Sequence, residues 1–160
     1  MKKIFLITIV LFSFCAKAQE DDGVGITYDL GVSAGKDTAD RSYTEANVGL
    51  NLQKSWLAWR NSLFGRFVTG EENIYGLDSS IRGILEDQTG ETFGYHVFAG
   101  PGYRFVTKGQ NLPFAEAGLV LRLGGISIGG GAKVFFNELV DKNIKNETQY
   151  SIILGGGGRL

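Results

Sequence analysis

The chain has 160 residues, with 16 basic and 17 acidic side chains, a formal net charge of −1, one histidine and one cysteine. That is one domain by length, with no basic excess to hold a nucleic acid and too few histidines and cysteines to build a metal centre. Glycine is abundant at 24 residues and proline scarce at 2, yet the glycines are interleaved with apolar residues instead of forming a linker.

The first element is a secretory signal. Met1-Lys2-Lys3 leads into the apolar stretch Ile4 to Cys15, and Ala16-Lys17-Ala18 precedes the polar Gln19-Glu20-Asp21-Asp22. A positive start, an apolar segment and small residues at Ala16 and Ala18 predict cleavage between Ala18 and Gln19. The apolar segment falls short of the roughly 20 residues that a membrane-spanning helix needs. The expected organisation is a signal peptide over 1–18 and one domain over 19–160. Losing Lys2, Lys3 and Lys17 takes the net charge to about −4, and losing Cys15 removes disulfides and thiol chemistry together.

From Val24 onward the polarity alternates with a period of two, the mark of a strand with unlike faces. Val24, Ile26, Tyr28, Leu30, Val32 and Ala34 oppose Gly25, Thr27, Asp29, Gly31, Ser33 and Gly35. After the polar stretch Lys36 to Ser42, Thr44, Ala46, Val48, Leu50 and Leu52 oppose Glu45, Asn47, Gly49, Asn51 and Gln53. Lys54-Ser55 makes a turn, and Leu57, Trp59, Leu63 and Phe67 then oppose Ala58, Arg60, Ser62 and Arg66, with Asn61 and Gly65 interrupting the apolar side. Beyond the loop Thr69 to Asn73, Tyr75, Leu77, Ile81 and Leu85 oppose Gly76, Asp78, Ser80, Arg82 and Glu86, ending in the turn Asp87 to Glu91. The fifth segment sets Phe93, Tyr95, Val97, Ala99, Pro101, Tyr103 and Phe105 against Gly94, His96, Phe98, Gly100, Gly102 and Arg104. The sixth sets Ala115, Ala117, Leu119, Leu121 and Leu123 against Phe114, Glu116, Gly118, Val120 and Arg122, and Gly124-Gly125 is a hairpin signal. The seventh sets Ile126, Ile128, Ala132, Val134 and Phe136 against Ser127, Gly129, Gly131 and Lys133. After Asn137 to Glu147, the last sets Tyr150, Ile152, Leu154 and Leu160 against Gln149, Ser151, Gly155, Gly157 and Arg159.

Eight strands of roughly ten residues predict an all-β fold: an eight-stranded, antiparallel, up-and-down transmembrane β-barrel. The links after strands two, four and six tend to be short, and those after one, five and seven longer and more polar, the asymmetry of a barrel with both ends in the periplasm. Volume decides which face points in. An eight-stranded barrel leaves room only for side chains that fill it, and some 40 mostly bulky apolar groups exceed that space. The apolar face therefore points outward, and aromatics near strand ends, Trp56, Trp59, Phe93, Tyr95, Tyr103, Phe105, Phe135, Phe136 and Tyr150, match two interfacial girdles.

With this pattern and the phrase Ala99-Gly100-Pro101-Gly102-Tyr103-Arg104-Phe105, the chain resembles the small outer-membrane β-barrel families of Gram-negative bacteria, in particular the OmpX- and OmpA-like barrels and the outer membrane protein β-barrel domain group. The resemblance implies residence in an outer membrane, contact with its lipid, insertion by the barrel assembly machinery and a monomeric state. Such families end their last strand in an aromatic residue, whereas this chain ends Gly156-Gly157-Gly158-Arg159-Leu160.

The inward face carries Asp29, Glu45, Asp78, Glu86 and Glu116 with Arg60, Arg66, Arg82, Arg104, Arg122, Lys133 and Arg159. Unpaired charge in a narrow space is costly, so these residues are expected to pair into a structural plug, the alternative being a narrow, anion-favouring channel for small solutes. A further alternative is a lipid A-modifying hydrolase, because eight-stranded barrels of that class exist. Ester hydrolysis needs a nucleophile beside a base, and the sole histidine, His96, has Gly94 and Phe98 as its same-face neighbours. The deacylase barrels instead place a serine two positions beyond their histidine. The reading is thus a protein that is not an enzyme and needs no cofactor. Its role is structural or interactive, with the loops Lys36 to Ser42, Thr107 to Pro113 and Asn137 to Glu147 meeting an external protein or surface ligand. Asp37-Thr38-Ala39 resembles the acceptor motif for O-glycans in Bacteroidota. The glycine runs at 129–131 and 155–158 are followed by no helix and so form no phosphate cradle; close strand packing accounts for them.

Overall fold

Side chains that alternate between two unlike surroundings require extended backbone, and the chain forms eight strands accordingly. They are β1 (Gly25–Lys36), β2 (Ser42–Lys54), β3 (Leu57–Val68), β4 (Ile74–Gln88), β5 (Phe93–Val106), β6 (Leu112–Leu123), β7 (Ile126–Phe135) and β8 (Glu147–Gly156). The computed structural model describes residues 24–88, 93–124 and 126–156. The expected signal segment with Ala16, Ala18 and Gln19, most of the turn after β4, Gly125, and the C-terminal stretch with Arg159 and Leu160 lie outside the described residues.

Each strand pairs antiparallel with its neighbour in sequence, and β1 closes the barrel on β8. Leu30 lies opposite Val48 on one side and Leu154 on the other, so apolar side chains meet apolar ones around the outer wall. Closure leaves no free edge for another chain to extend. The connections at 37–41, 69–73, 107–111 and 136–146 gather at one end, the last containing a short 3-10 helix, Asn137–Leu139. At the other end a two-residue turn, Ser55–Trp56, joins β2 to β3, with Ser55 in the left-handed region at φ 56°.

Strands extend further than alternation indicates. Lys36 and Ser42 pair with each other, Leu112 and Pro113 belong to β6, and Glu147 opens β8 opposite Phe135. The loops expected at Lys36 to Ser42 and Thr107 to Pro113 are therefore shorter, and that expected at Asn137 to Glu147 is shifted back by one residue, to 136–146. Backbone pairing continues past the last apolar side chain, because a ladder hydrogen bond is indifferent to what the rim side chain touches.

The faces are inverted relative to a water-soluble domain. On the outside Leu63 is 67% exposed, Ile152 63% and Val32 57%, while Glu45 and Ser62, facing inward, are each 1% exposed. A continuous exposed apolar belt of this kind is the surface a lipid bilayer covers. Tyr75, Tyr103, Phe105 and Tyr150 lie on it toward the loop end, Phe93, Tyr95 and Trp56 toward the turn end. Phe135 is a correction to the expected girdles: it is 0% exposed, inside the barrel, because period two carries it to the same face as Lys133. Phe136, just past the end of β7, is half-buried.

Candidate functional site

The inner face of this cylinder is the candidate site, and its residues reach one another because short side chains alternate with long ones. Gly49 of β2 lies between Asp29 of β1 and Arg60 of β3, and a Cβ there would stand 2.7 Å from the Asp29 carboxylate and 2.8 Å from Arg60 Nη2. The missing side chain lets a salt bridge cross over the strand. Gly102 does the same for the Phe114 ring, which a Cβ would meet at 2.3 Å.

The central layer is built on Arg104 of β5. Its Nε donates to Asp78 Oδ1 at 2.7 Å and its Nη2 to Asp78 Oδ2 at 2.7 Å, a fork made possible by the β4–β5 register that sets the two residues side by side. Across the lumen, Nη1 and Nη2 donate to the two carboxylate oxygens of Glu45 at 2.9 and 2.8 Å. Lys133 Nζ donates to Asp78 Oδ2 at 2.5 Å and Arg66 Nε to Glu45 Oε2 at 3.3 Å. Aromatic faces complete the layer, with the Arg104 guanidinium 3.8 Å from the Phe64 ring centroid and 4.3 Å from that of Phe135. Paired charge, planar forks and ring contacts together offset the desolvation that burial imposes on each ion.

Toward the loops, Glu147 accepts from Arg66 Nη2 at 2.8 Å and from the Tyr43 hydroxyl at 2.5 Å. Toward the turns, Arg60 forks onto Asp29 at 2.5 and 3.0 Å, with Asn51 donating to the same carboxylate at 2.8 Å. Arg82 forks onto Glu116 at 2.8 and 2.9 Å, its guanidinium 4.1 Å from the Phe98 centroid. A polar-lined cavity of about 30 Å³, room for a water or two, lies among Arg60, Arg82, Glu116 and Gln149. Below it, Ala58, Ile84, Phe98 and Val120 with Ile153 close the turn end with apolar side chains.

Of the charges expected inside, Asp29, Glu45, Arg60, Asp78, Arg82, Arg104 and Glu116 are buried, with Arg66 and Lys133 joined to them. Glu86 and Arg122 pair with each other at 3.3 Å near the turn end, where their side chains are 26% and 29% exposed, and form a separate, wetter pair. Arg159 falls outside the described residues. Glu147 and Tyr43 also face inward, beyond the segments that alternation marks, although counting back by two from Gln149 and from Glu45 reaches both. Phe64, two residues from Arg66, faces inward as well. His96 faces inward with its ring 6.2 Å from that of Phe98, opposite Glu86 in the β4–β5 register.

Tyr43→Phe tests the loop-side cap. Removing the hydroxyl takes a charge-assisted hydrogen bond from a carboxylate that is still held by Arg66, so a loss of about 1.5–3 kcal/mol in urea unfolding of the bilayer-embedded protein is expected.

At the loop end, Arg41 pairs with Glu71 and Lys108 with Glu72, tying the first, second and third loops together. Phe136 N–H donates to the Pro113 carbonyl at 3.0 Å, anchoring the fourth loop to the start of β6. Asp37 accepts from the Arg41 backbone and side chain and from the Ala39 N–H. Its slight burial works against the charged form, but those donors outweigh it and hold the carboxyl below its ordinary range. Leu139, 75% exposed, and Val140 protrude from the fourth loop.

No protein-family model matches the chain, and no curated protein matches it in sequence. Solved structures do match its shape. The outer membrane enzyme PagL superposes with a TM-score of 0.63 at 14% identity, over 81% of this chain and 99% of that one. Neisserial surface protein A (NspA) superposes with a TM-score of 0.58 at 8% identity, over 85% and 97%. One expectation is thereby corrected: the chain cannot be set down as not an enzyme, since an outer membrane enzyme is among the proteins that share its barrel. At these identities the likeness concerns the fold, which hosts both an enzyme and a surface protein. It does not reach the finer assignment to OmpX- or OmpA-like barrels. What the chain shares with both structures is the closed, eight-stranded antiparallel architecture of small outer-membrane proteins.

Proposed function

We propose that the chain is an integral protein of a Gram-negative outer membrane whose sealed barrel holds four external loops as one contact surface for a partner outside the cell. Export by the 1–18 signal and insertion by the barrel assembly machinery belong to this reading. The observation that carries it is the combination of a plugged lumen with cross-tied loops. Arg104, held by Glu45 and Asp78, spans the barrel, so the interior supports the loops and is not a conduit. The Arg41–Glu71 and Lys108–Glu72 pairs hold neighbouring loops in fixed relation, which reduces the ordering cost of binding. Leu139 and Val140 form the most exposed apolar point on that surface, a fit for a partner's apolar contact.

The test has two arms. Purified protein in planar bilayers is expected to give no steady discrete conductance, and stable anion-selective openings would replace the platform with the channel. Protein in lipid nanodiscs is then applied to arrays of glycans and host-surface proteins, beside a variant whose loop 136–146 is replaced by a glycine-serine turn. Binding that the replacement removes supports the reading. Indistinguishable profiles would assign the loops no such role.

A further inference from the structure

The outer wall is apolar at nearly every mid-height position, and one place departs from this. Asn61 of β3 and Ser79 of β4 are register partners, and both point outward, since their neighbours Arg60, Ser62, Asp78 and Ser80 are all buried in the lumen. Asn61 lies four residues from the start of β3, which in a tilted strand places it about 10–12 Å above the turn-side end, near the middle of a belt about 25 Å tall. Ser79 Oγ accepts from Trp59 Nε1 at 2.9 Å, leaving its own O–H to donate elsewhere. The Asn61 amide has two N–H donors and a carbonyl, and no hydrogen bond to a described residue engages them. Hydrocarbon offers an amide nothing in return, so a polar group at this depth calls for a partner inside the membrane.

Exposed Leu63 and Ile81 flank the polar pair, and the surface becomes lower four positions along β4 from Ser79. Gly83 and Ala99 are register partners on the same outward face, and a Cβ added at Gly83 would meet nothing nearer than the Ala99 carbonyl at 3.7 Å. Small residues on the same face as a polar group help two membrane-embedded surfaces to approach.

We propose that the barrel pairs with a second copy of itself in the bilayer through this β3–β4 face, Asn61 of each copy hydrogen-bonding Ser79 of the other across a twofold axis along the membrane normal. Such an axis between β3 and β4 brings β3 of one barrel against β4 of its partner, so the register that places Asn61 beside Ser79 within one chain makes the patch complementary to itself. The amide supplies donors and an acceptor, and the serine supplies the matching acceptor and donor, so a second copy satisfies both groups with no further chemistry. The monomeric state expected from the resemblance gives way to a weak, isologous dimer. This inference rests on the membrane reading above.

Subunit counting by single-molecule photobleaching in phospholipid vesicles, at rising protein density, tests it. The unaltered protein is expected to pass from one to two copies per spot. Asn61→Leu is expected to weaken association roughly tenfold to a hundredfold, while Asn61→Gln, which keeps the amide, retains most of it. With Cys15 absent from the processed chain, a thiol cross-linker should join Asn61→Cys barrels into dimers and leave Ile152→Cys, on the far wall, monomeric. Single copies at every density, an unchanged Asn61→Leu, or equal cross-linking from both positions would overturn the proposal. Heat-modifiable migration in the same samples separates the two failures: folded but monomeric barrels sink only the dimer, whereas a chain that stays in solution without detergent sinks the membrane reading beneath it.

Discussion

Arg104→Met is expected to destabilise the barrel by about 3–5 kcal/mol, the range for breaking a buried pair from one side. The guanidinium serves two carboxylates at once, Glu45 and Asp78, each reached by a fork of hydrogen bonds at 2.7 to 2.9 Å. Without it Glu45 keeps Arg66 at 3.3 Å and Asp78 keeps Lys133 at 2.5 Å, which places the loss toward the lower end of that range. Equilibrium urea unfolding of the protein folded into lipid vesicles measures it. Neutralising one acid in the same chain, with Glu45→Gln, is expected to recover much of the loss, because Arg66 then keeps Glu147 and Lys133 keeps Asp78, and the penalty comes from uncompensated charge more than from the missing contact. A single variant as stable as the parent would show that the central layer is hydrated and not a plug.

Leu30→Arg is expected to cost about 2–4 kcal/mol when the barrel is folded in a bilayer, the range for arginine at the midplane of a membrane barrel. Leu30 is half exposed at the middle of β1, between Val48 and Leu154 on the neighbouring strands. In water a half-exposed leucine exchanged for arginine would change stability by no more than about 0.5 kcal/mol. The size of the effect therefore reports the medium that surrounds the belt. The measurement is again urea unfolding in vesicles, and a change inside that small surface range would mean that this face does not meet hydrocarbon.

The strands and their facing were legible in the sequence because period-two alternation is a local property. Asp29, Arg60 and Arg104 announce the inward side wherever they stand among Gly and Ser, and their neighbours Leu30, Trp59 and Tyr103 announce the outward one. Where the pattern faltered, the reading did too. The polar residues before Glu147 point to a loop, and the aromatic ring of Phe135 suits an outer girdle. Each is decided by its place in the ladder, Glu147 opposite Phe135, a relation no single strand displays.

Alternation, strand count and the excess of bulky apolar groups thus determined by themselves a closed barrel turned apolar side out, because they depend on neighbours one and two positions apart and on total volume. Which charges meet was decided only by closure. Arg104 reaches Asp78 at a separation of 26 residues and Glu45 at 59, and Arg66 reaches Glu147 at 81, distances along the chain that the register and the circumference convert into a few ångströms. The outward amide of Asn61 and its serine neighbour likewise became one patch only when β3 and β4 were laid side by side.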